Sequence, residues 1–282
     1  MTCPKMLKRR LRIKELALAG AAVAAFVLQA RAYDVFPASR VFQPLLADPR
    51  EIHLGASYYR LRGHNDADVA LGHSWGMTRW KSAAGSWVWQ WDIEGMAYSR
   101  FQVSGGVNKF ETVDFFANLP LEVKHGTLSG KFYLYHESSH LGDDYIRDTG
   151  NTGFRYSVEG VRGIISDDVC PHLRVYGGGG YLFHSIPTPQ RGTLQGGFEL
   201  TGPDFQWHWF YSVRPYLAED VQSHANVQWN VNSNSVLGLR FGFPDTTRAM
   251  RAFIGYFVGH SPYGQFYSLP EHYAYVGLGF DL

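Results

Sequence analysis

The sequence predicts an antiparallel transmembrane β-barrel of about 12 strands, with 14 as the alternative count. Three observations lead to this fold class: a leader typical of exported proteins, segments in which apolar and polar residues alternate, and a strand-like segment at the C-terminus. Aromatic residues make up 16% of the chain and glycine adds 31 residues, a composition that suits strands crossing a membrane interface. The alternative for an exported chain of this composition is a soluble periplasmic β-sandwich.

Residues 1–32 have the features of a secretory signal peptide. A basic cluster comes first, then the apolar run LALAGAAVAAFVL, then Ala30-Arg31-Ala32. The pattern predicts cleavage between Ala32 and Tyr33, and the run is short for a membrane anchor, which is the alternative. The leader holds seven of the 26 Lys and Arg residues but only one of the 25 acidic residues. The mature chain is therefore acidic, which disfavours nucleic acid as a partner.

Residues 86–98, SWVWQWDIEGMAY, show the alternation clearly. Trp87 and Trp91 share one face, whereas Gln90 and Asp92 lie on the other. A period of two residues predicts a strand. Several tryptophans on one short strand fit an interfacial aromatic girdle better than a core.

Twelve further segments are predicted as strands. One follows the turn Gly126-Thr127 and contains FYLYHESSHL. The others are residues 53–61, 68–77, 112–126, 152–163, 172–183, 193–200, 206–213, 224–231, 235–243, 251–259 and 272–282. Bacterial single-chain barrels have an even number of strands, so at least one of these 13 assignments is wrong. Residues 33–50 contain Pro44 and Pro49 and are predicted as a periplasmic N-terminal segment or small plug, which leaves residues 51–282 for the barrel.

Four motifs occur in a fixed order: FQPLLADPRE, YHESSHLGDDY, RVYGGGGYLFH and GHSPYGQFY. By these motifs the chain, from about Phe36 onwards, resembles the family catalogued as domain of unknown function 1207, bacterial proteins generally taken to be outer-membrane barrels. The resemblance implies an outer-membrane location and a barrel fold, and it implies no activity. One departure is the ending Phe280-Asp281-Leu282, because such barrels often end in an aromatic residue.

The strand after Gly126-Thr127 carries the main candidate site. Its lipid-facing side, which includes Phe132 and Leu134, continues with His136, Ser138 and His140. Residues two apart on one strand face are about 6 to 7 Å apart at the backbone, so a serine hydroxyl can reach an imidazole. An H-x-S pair on the outward face of a barrel strand is similar to the arrangement in outer-membrane phospholipase A and in outer-membrane lipid A deacylase.

By that analogy Ser138 is a candidate nucleophile and His136 its base, with Asp143, Asp144 or Asn151 orienting the imidazole. Two other interpretations remain open. Polar side chains near a barrel rim cost only about 0 to 1 kcal/mol, so the pair needs no function. A register shift of one residue would turn both side chains into the lumen. Candidate binding residues are His140, Tyr145, His260, Tyr263 and Gln265, with a packed loop at the barrel mouth as the alternative for the last three.

No metal site is predicted from side-chain spacing. His136 and His140 are about 13 Å apart on a strand, too far to share one ion. Asp143, Asp144 and Asp148 are candidates for Ca²⁺, bridging lipopolysaccharide phosphates, with a solvated acidic loop as the alternative. Gly177 to Gly180 are followed by strand rather than helix, which argues against a phosphate-binding loop.

The sequence favours a non-enzymatic outer-membrane barrel, either a narrow channel or an interaction protein, with a narrow or filled interior. The alternative is a lipid acyl hydrolase of the phospholipase or lipid A deacylase type. The expected partners are outer-membrane lipid, lipopolysaccharide and the barrel-assembly machinery.

Overall fold

The computed structural model describes residues 32–82, 84–104, 107–188, 190–207, 210–242 and 248–281. The predicted signal peptide, apart from Ala32, lies outside these residues. Within them the chain forms 14 strands and one α-helix, bounded as follows: β1 Ala32–Val35, β2 Leu54–Leu61, β3 His64–Lys81, β4 Trp87–Ser104, β5 Val107–His125, β6 Leu128–Leu141, α1 Asp143–Thr149, β7 Tyr156–Cys170, β8 Leu173–Ile186, β9 Gly192–Thr201, β10 Phe205–Trp207, β11 Phe210–His224, β12 Val231–Gly242, β13 Ala249–His260 and β14 Pro270–Asp281. None of the helices in the described residues has the length and apolar character needed to cross a membrane.

Twelve of the described strands close into an antiparallel barrel, which confirms the predicted fold class. Consecutive strands pair with each other, except that β9 pairs with β11. The barrel closes where β2 pairs with β14, from Leu54 opposite Phe280 to Tyr59 opposite Tyr275. The short strands β1 and β10 add to β3 and β11. Within the described residues, each of the twelve barrel strands pairs with a neighbour on both sides, so the barrel itself is closed.

Two predicted strands differ from the structure. Residues 224–231 include a 3₁₀ turn rather than a barrel strand, because Gln228 and Trp229 adopt positive φ angles of 59° and 61°. Residues 206–213 overlap the short strand β10 and only the start of β11, which continues to His224. His208 and Trp209 lie outside the described residues.

The two faces of the strands differ in polarity, as the alternation predicts. On β4, Trp87 and Trp91 are exposed on the outer face, whereas Gln90, Asp92 and Glu94 are buried inside the barrel. We call the barrel end where β6 finishes the upper rim and the end where β14 finishes the lower rim.

Residues 36–53 form the plug segment, which occupies the interior of the barrel from Arg40 onwards. Glu122 on β5 accepts a hydrogen bond from the backbone N–H of Phe42 at 2.7 Å, and Glu199 on β9 accepts one from that of Leu46 at 2.8 Å. These strands lie on different sides of the barrel, so the segment crosses the lumen.

Buried ion pairs fix the plug segment further. The Arg40 guanidinium lies 3.1 Å from Glu51, 3.3 Å from Glu94 and 3.3 Å from Glu122. Arg50 forms an ion pair with Asp114. Buried charges are tolerated when each one has a partner of opposite sign. The lumen is therefore filled at mid-height by a charge-compensated segment.

Candidate functional site

Strand β6 presents His136 and Ser138 on the outside of the barrel. Its even-numbered residues Phe132 and Leu134 are 47% and 51% exposed, whereas Lys131 is buried in the lumen. The His136 side chain is 46% exposed on the same outer face. His136 and Ser138 therefore face outwards, and the register shift of one residue that would turn them into the lumen is absent.

The neighbouring strand β7 supplies a carboxylate to this pair. In the β6–β7 register His136 is opposite Glu159, and Ser138 is opposite Ser157. The Nδ1 atom of His136 lies 3.4 Å from Oε1 of Glu159. Because directly opposite residues of an antiparallel pair point to the same side, Glu159 also faces outwards.

Ser138, His136 and Glu159 share one outer face, and they are the three types of group that nucleophilic acyl transfer uses. The carboxylate engages Nδ1, which leaves Nε2 as the imidazole nitrogen that can accept the hydroxyl proton of Ser138. A carboxylate in this position orients the ring and stabilises the imidazolium that forms. A distance of 3.4 Å is long for a hydrogen bond, but catalytic contacts often tighten only when substrate binds.

These three residues lie at the upper boundary of the apolar outer surface. Directly below it, Leu134 is flanked across the strands by Leu119 and Val161, and all three are exposed. Above it, β6 ends at Leu141 and the polar connection 142–155 begins. If the apolar chains of an amphiphile lay along the barrel, the junction between these chains and the polar head group would be at this height.

The acids and amide proposed from sequence as orienting groups have other contacts. Asp144 Oδ2 accepts a hydrogen bond from the backbone N–H of Phe110 at 2.9 Å. Asn151 Oδ1 accepts one from the backbone N–H of Gly153 at 2.9 Å. Asp143 starts α1, beyond the end of β6. In the structure, Glu159 is the carboxylate that lies beside His136.

Sequence reasoning did not predict Glu159. The register between β6 and β7 places this residue opposite His136, and the pattern within one strand does not determine that register. A signal was present in the segment SVEGVRGI. The outward series Ser157, Glu159, Val161 places a carboxylate on a lipid-facing position, where charged side chains are unfavourable without a partner.

Two of the three acidic residues of α1, Asp144 and Asp148, are paired with cations. Arg147 lies 2.6 Å from Asp144, and Lys109 pairs with Asp148. The Phe110 backbone N–H and then Arg147 lower the pKa of Asp144, and Lys109 lowers that of Asp148. Among the described residues no group of three or more His, Cys, Asp or Glu side chains is arranged to hold a metal ion.

The remaining candidate binding residues lie mostly at the upper mouth. Tyr263 is fully buried, and its ring stacks on Tyr98 at 5.2 Å. Gln265 donates its backbone N–H to Ser139 Oγ at 2.9 Å. Tyr145 packs edge-on against Phe266 at 5.2 Å. These contacts describe a packed loop over the lumen.

The other two candidate binding residues lie on opposite sides of the barrel wall. His260 borders a cavity inside the lumen. His140 lies outside, with its ring centroid 6.1 Å from that of Phe115. The predicted site residues therefore divide between the outer wall and the mouth.

Comparisons with known proteins agree with this architecture. Outer membrane phospholipase A from Escherichia coli has a TM-score of 0.55 at 12% identity, over 83% of this chain and 93% of that chain. The Salmonella typhi outer membrane phospholipase (OMPLA) dimer with bound calcium has a TM-score of 0.53 at 11% identity, with the same coverage of 83% and 93%. A KdgM porin has a TM-score of 0.40 at 10% identity, over 82% and 99%.

At these identities the likeness concerns the fold alone, which is that of outer-membrane barrels. A search of curated protein sequences finds no match. A family model matches residues 12–282, nearly the whole chain. The chain therefore belongs to the family described as protein of unknown function (DUF1207).

Proposed function

We propose that this protein is an outer-membrane lipid acyl hydrolase with Ser138 as nucleophile, His136 as general base and Glu159 as the orienting carboxylate. The observation that carries the proposal is the contact of 3.4 Å between His136 Nδ1 and Glu159 Oε1, on the outer face where Ser138 also lies. The outer membrane phospholipases that share the fold are named for the same class of reaction, which supports the proposal.

The site is placed for lipid of the outer leaflet. The upper rim carries the longest connections, residues 142–155 and 261–269, and long loops are extracellular in bacterial barrels. A triad just below this rim faces the junction between acyl chains and head groups. The ester bonds of membrane lipids lie at that junction.

The reaction proceeds in two steps. Ser138 Oγ attacks the ester carbonyl while its proton passes to His136 Nε2. The ester C–O bond then breaks, the alcohol leaves with the proton from His136, and the acyl group stays on Ser138. Water, deprotonated by His136, attacks the acyl-enzyme and releases the fatty acid, and the proton returns to Ser138.

The filled lumen argues against the narrow channel that the sequence also allowed. The plug segment is held by Glu122 and Glu199 from different sides of the barrel. Ion passage would require these contacts to break. Ser138, His136 and Glu159, by contrast, lie on the outer wall and need no rearrangement of the barrel to meet a lipid.

Fatty-acid release tests the proposal directly. The detergent-purified barrel is incubated with phospholipid and, separately, with lipid A. We expect release from one of them, and we expect Ser138→Ala and His136→Ala each to lower kcat by about 10³-fold or more. Ser157→Ala is the matched control, since this serine faces Ser138 across the strand pair.

Folding of each variant is checked by heat-modifiable gel mobility. Folded wild-type protein that releases no fatty acid from either lipid would refute the hydrolase. So would release that survives Ser138→Ala. Asp143, Asp144 and Asp148 remain candidates for Ca²⁺, and an effect of the ion on release is tested by repeating the assay with added calcium and with a chelator.

A further inference from the structure

The outer face that carries Ser138 changes in chemistry along its height. Three outward residue pairs of β6 and β7 follow one another towards the upper rim: Leu134 with Val161, His136 with Glu159, and Ser138 with Ser157. They run from hydrocarbon through a base and an acid to two hydroxyl groups. The next outward positions, one step nearer the rim, are His140 at the end of β6 and Arg155 just before β7, and both are exposed. The face therefore ends in a cation.

Arg155 lies on the outer side, although it precedes the first residue of β7. Its two chain neighbours face the mouth of the barrel, because the rings of Phe154 and Tyr156 both contact that of Tyr267, at centroid distances of 6.1 and 6.3 Å. Side chains alternate along an extended chain, so Arg155 shares the outward side with Ser157.

The charge of Arg155 is available to a ligand. None of the described residues forms an ion pair or a hydrogen bond with its side chain. By contrast, Arg147 of the same connection lies 2.6 Å from Asp144. A guanidinium presents five N–H donors in a fork that matches the oxygens of a phosphate group. At the same height the imidazole of His140 has an N–H donor in either tautomer.

The spacing along the strands matches a lipid that carries both an ester and a phosphate. Two residues of a strand span about 6 to 7 Å, so His140 and Arg155 lie about this distance above the pair of serines. In a glycerophospholipid, the carbon that carries the phosphate is separated from the ester-bearing carbons by at most one other carbon. An ester at Ser138, with its acyl chain over Leu134, would therefore place the phosphate near Arg155.

We infer that Arg155, together with His140, binds the phosphate of a lipid head group. The inference rests on the proposed hydrolase and names the class of its substrate, a phosphate-bearing lipid. Three observations carry it: the outward series that ends in Arg155, the exposed guanidinium without a partner among the described residues, and the height above Ser138. Binding of the phosphate needs no turnover, so it can be measured in a variant that cannot hydrolyse.

Binding of two matched lipids to the full-length Ser138→Ala barrel tests the inference. The probes are dihexanoyl phosphatidic acid and dihexanoylglycerol, which have the same acyl chains and differ in the phosphate. Each is titrated by calorimetry into the barrel in a detergent that contains no phosphate, and into the detergent alone. We expect the phosphatidic acid to bind with a Kd at least about tenfold lower than that of dihexanoylglycerol.

One substitution and one matched control locate the site. In the Ser138→Ala background, Arg155→Gln should raise the Kd of phosphatidic acid about tenfold and leave that of dihexanoylglycerol unchanged. Arg147→Gln removes the same charge from the same connection, at an arginine that Asp144 already engages, so it should change neither Kd. Inorganic phosphate in about tenfold excess should not displace the phosphatidic acid, because the acyl chains add apolar contact that the free ion lacks.

Heat-modifiable gel mobility confirms that each variant is folded. If Arg155→Gln does not fold, His140→Leu decides, and it should also weaken the binding of phosphatidic acid. Equal binding of the two lipids, or a preference that Arg155→Gln leaves intact, would overturn the inference. An equal loss in Arg147→Gln would show a general effect of surface charge and would overturn it too, as would displacement by inorganic phosphate.

The hydrolase and the phosphate site can fail separately. Fatty-acid release by the wild-type protein without binding that depends on Arg155 would leave the hydrolase standing and refute the phosphate site. Binding that depends on Arg155, in a wild-type protein that releases no fatty acid, would uphold the phosphate site and refute the hydrolase alone.

Discussion

Glu159 lies on the outer wall of the barrel, where charged side chains are energetically unfavourable. A charged side chain there costs about 2 to 4 kcal/mol at the bilayer midplane for Arg and Lys, less for Asp and Glu, and about 0 to 1 kcal/mol near the rim. Its height near the rim keeps this cost small, and His136 at 3.4 Å offsets it. A partly exposed pair of this kind contributes little to stability.

Replacing Glu159 by glutamine tests its role in the proposed hydrolase. The amide keeps the size of the side chain but cannot stabilise an imidazolium, and the corresponding change in a serine protease triad lowers kcat by about 10⁴-fold. We expect Glu159→Gln to lower kcat by about 10²- to 10⁴-fold with little change in KM. Both constants are measured on mixed micelles of lipid and detergent.

Asp144→Asn is the matched control for that measurement. It makes the same chemical change at an acid that sequence reasoning favoured, but Asp144 is bound to Phe110 and Arg147. An equal loss of kcat in both variants, or an unchanged kcat in Glu159→Gln, would contradict the assignment.

Sequence reasoning predicted that Ser138 and His136 share the outer face, but it did not predict that Glu159 lies beside His136. Ser138 and His136 are two residues apart on one strand, so the strand period alone places them on one face. The acid belongs to the next strand, and its register depends on how residues 142–155 return the chain to β7. That connection contains α1, whose length the alternation pattern does not determine.

Individual strands show how closely the barrel wall is packed. On β8, a Cβ atom added at Gly178 would lie 2.1 Å from the carbonyl oxygen of Gly163 on β7. At the preceding Gly177, the nearest heavy atom beyond its chain neighbours would be the Gln195 carbonyl oxygen at 3.8 Å, an ordinary contact. Adjacent glycines in the run Gly177 to Gly180 therefore have different roles.

Alanine at these two positions gives a matched pair of variants. We expect Gly178→Ala to destabilise the barrel by about 1 to 3 kcal/mol, the usual cost of overpacking, because the β7 backbone must move. Gly177→Ala should have little effect. The readout is the temperature at which heat-modifiable gel mobility is lost. Equal stability of the two variants would contradict the packing between β7 and β8.

Errors in the predicted strands also have a local cause. The segment HANVQWNV alternates like a strand, but alternation over eight residues does not fix the backbone angles. Gln228 and Trp229 turn there with positive φ. The longer β11 was missed in part because Pro215 and the acids Glu219 and Asp220 interrupt the apolar pattern.

The whole molecule combines a predictable barrel with a less predictable interior. The strand rhythm and the requirement for an even number predicted about twelve strands, with 14 as the alternative. Whether residues 33–50 would lie in the periplasm or in the lumen could not be decided from sequence. The residues that hold this segment in the lumen, among them Glu122 and Glu199, belong to strands that are distant in sequence.

Loosening the plug segment should open the lumen. Glu122→Ala removes the acceptor for two backbone N–H groups and a partner of Arg40, and breaking such a buried network costs about 3 to 5 kcal/mol. We expect wild-type protein to be silent in planar bilayers and Glu122→Ala to show steady conductance.

Glu159→Ala serves as the control for conductance, because it removes an acidic charge from the outer wall and leaves the plug segment untouched. A silent Glu122→Ala variant that is folded would mean that the plug stays in place without this carboxylate. Conductance in the wild-type protein would contradict the filled lumen itself.

The outward orientation of Ser138 has a kinetic consequence for the proposed hydrolase. Its substrate would arrive by lateral diffusion within one leaflet, so the effective concentration is a number of molecules per area rather than per volume. Adding inert amphiphile at constant total substrate would dilute the lipid around the barrel and slow turnover. The enzyme would thus respond to the composition of the surface in which it is embedded, and hardly to the volume of the surrounding solution.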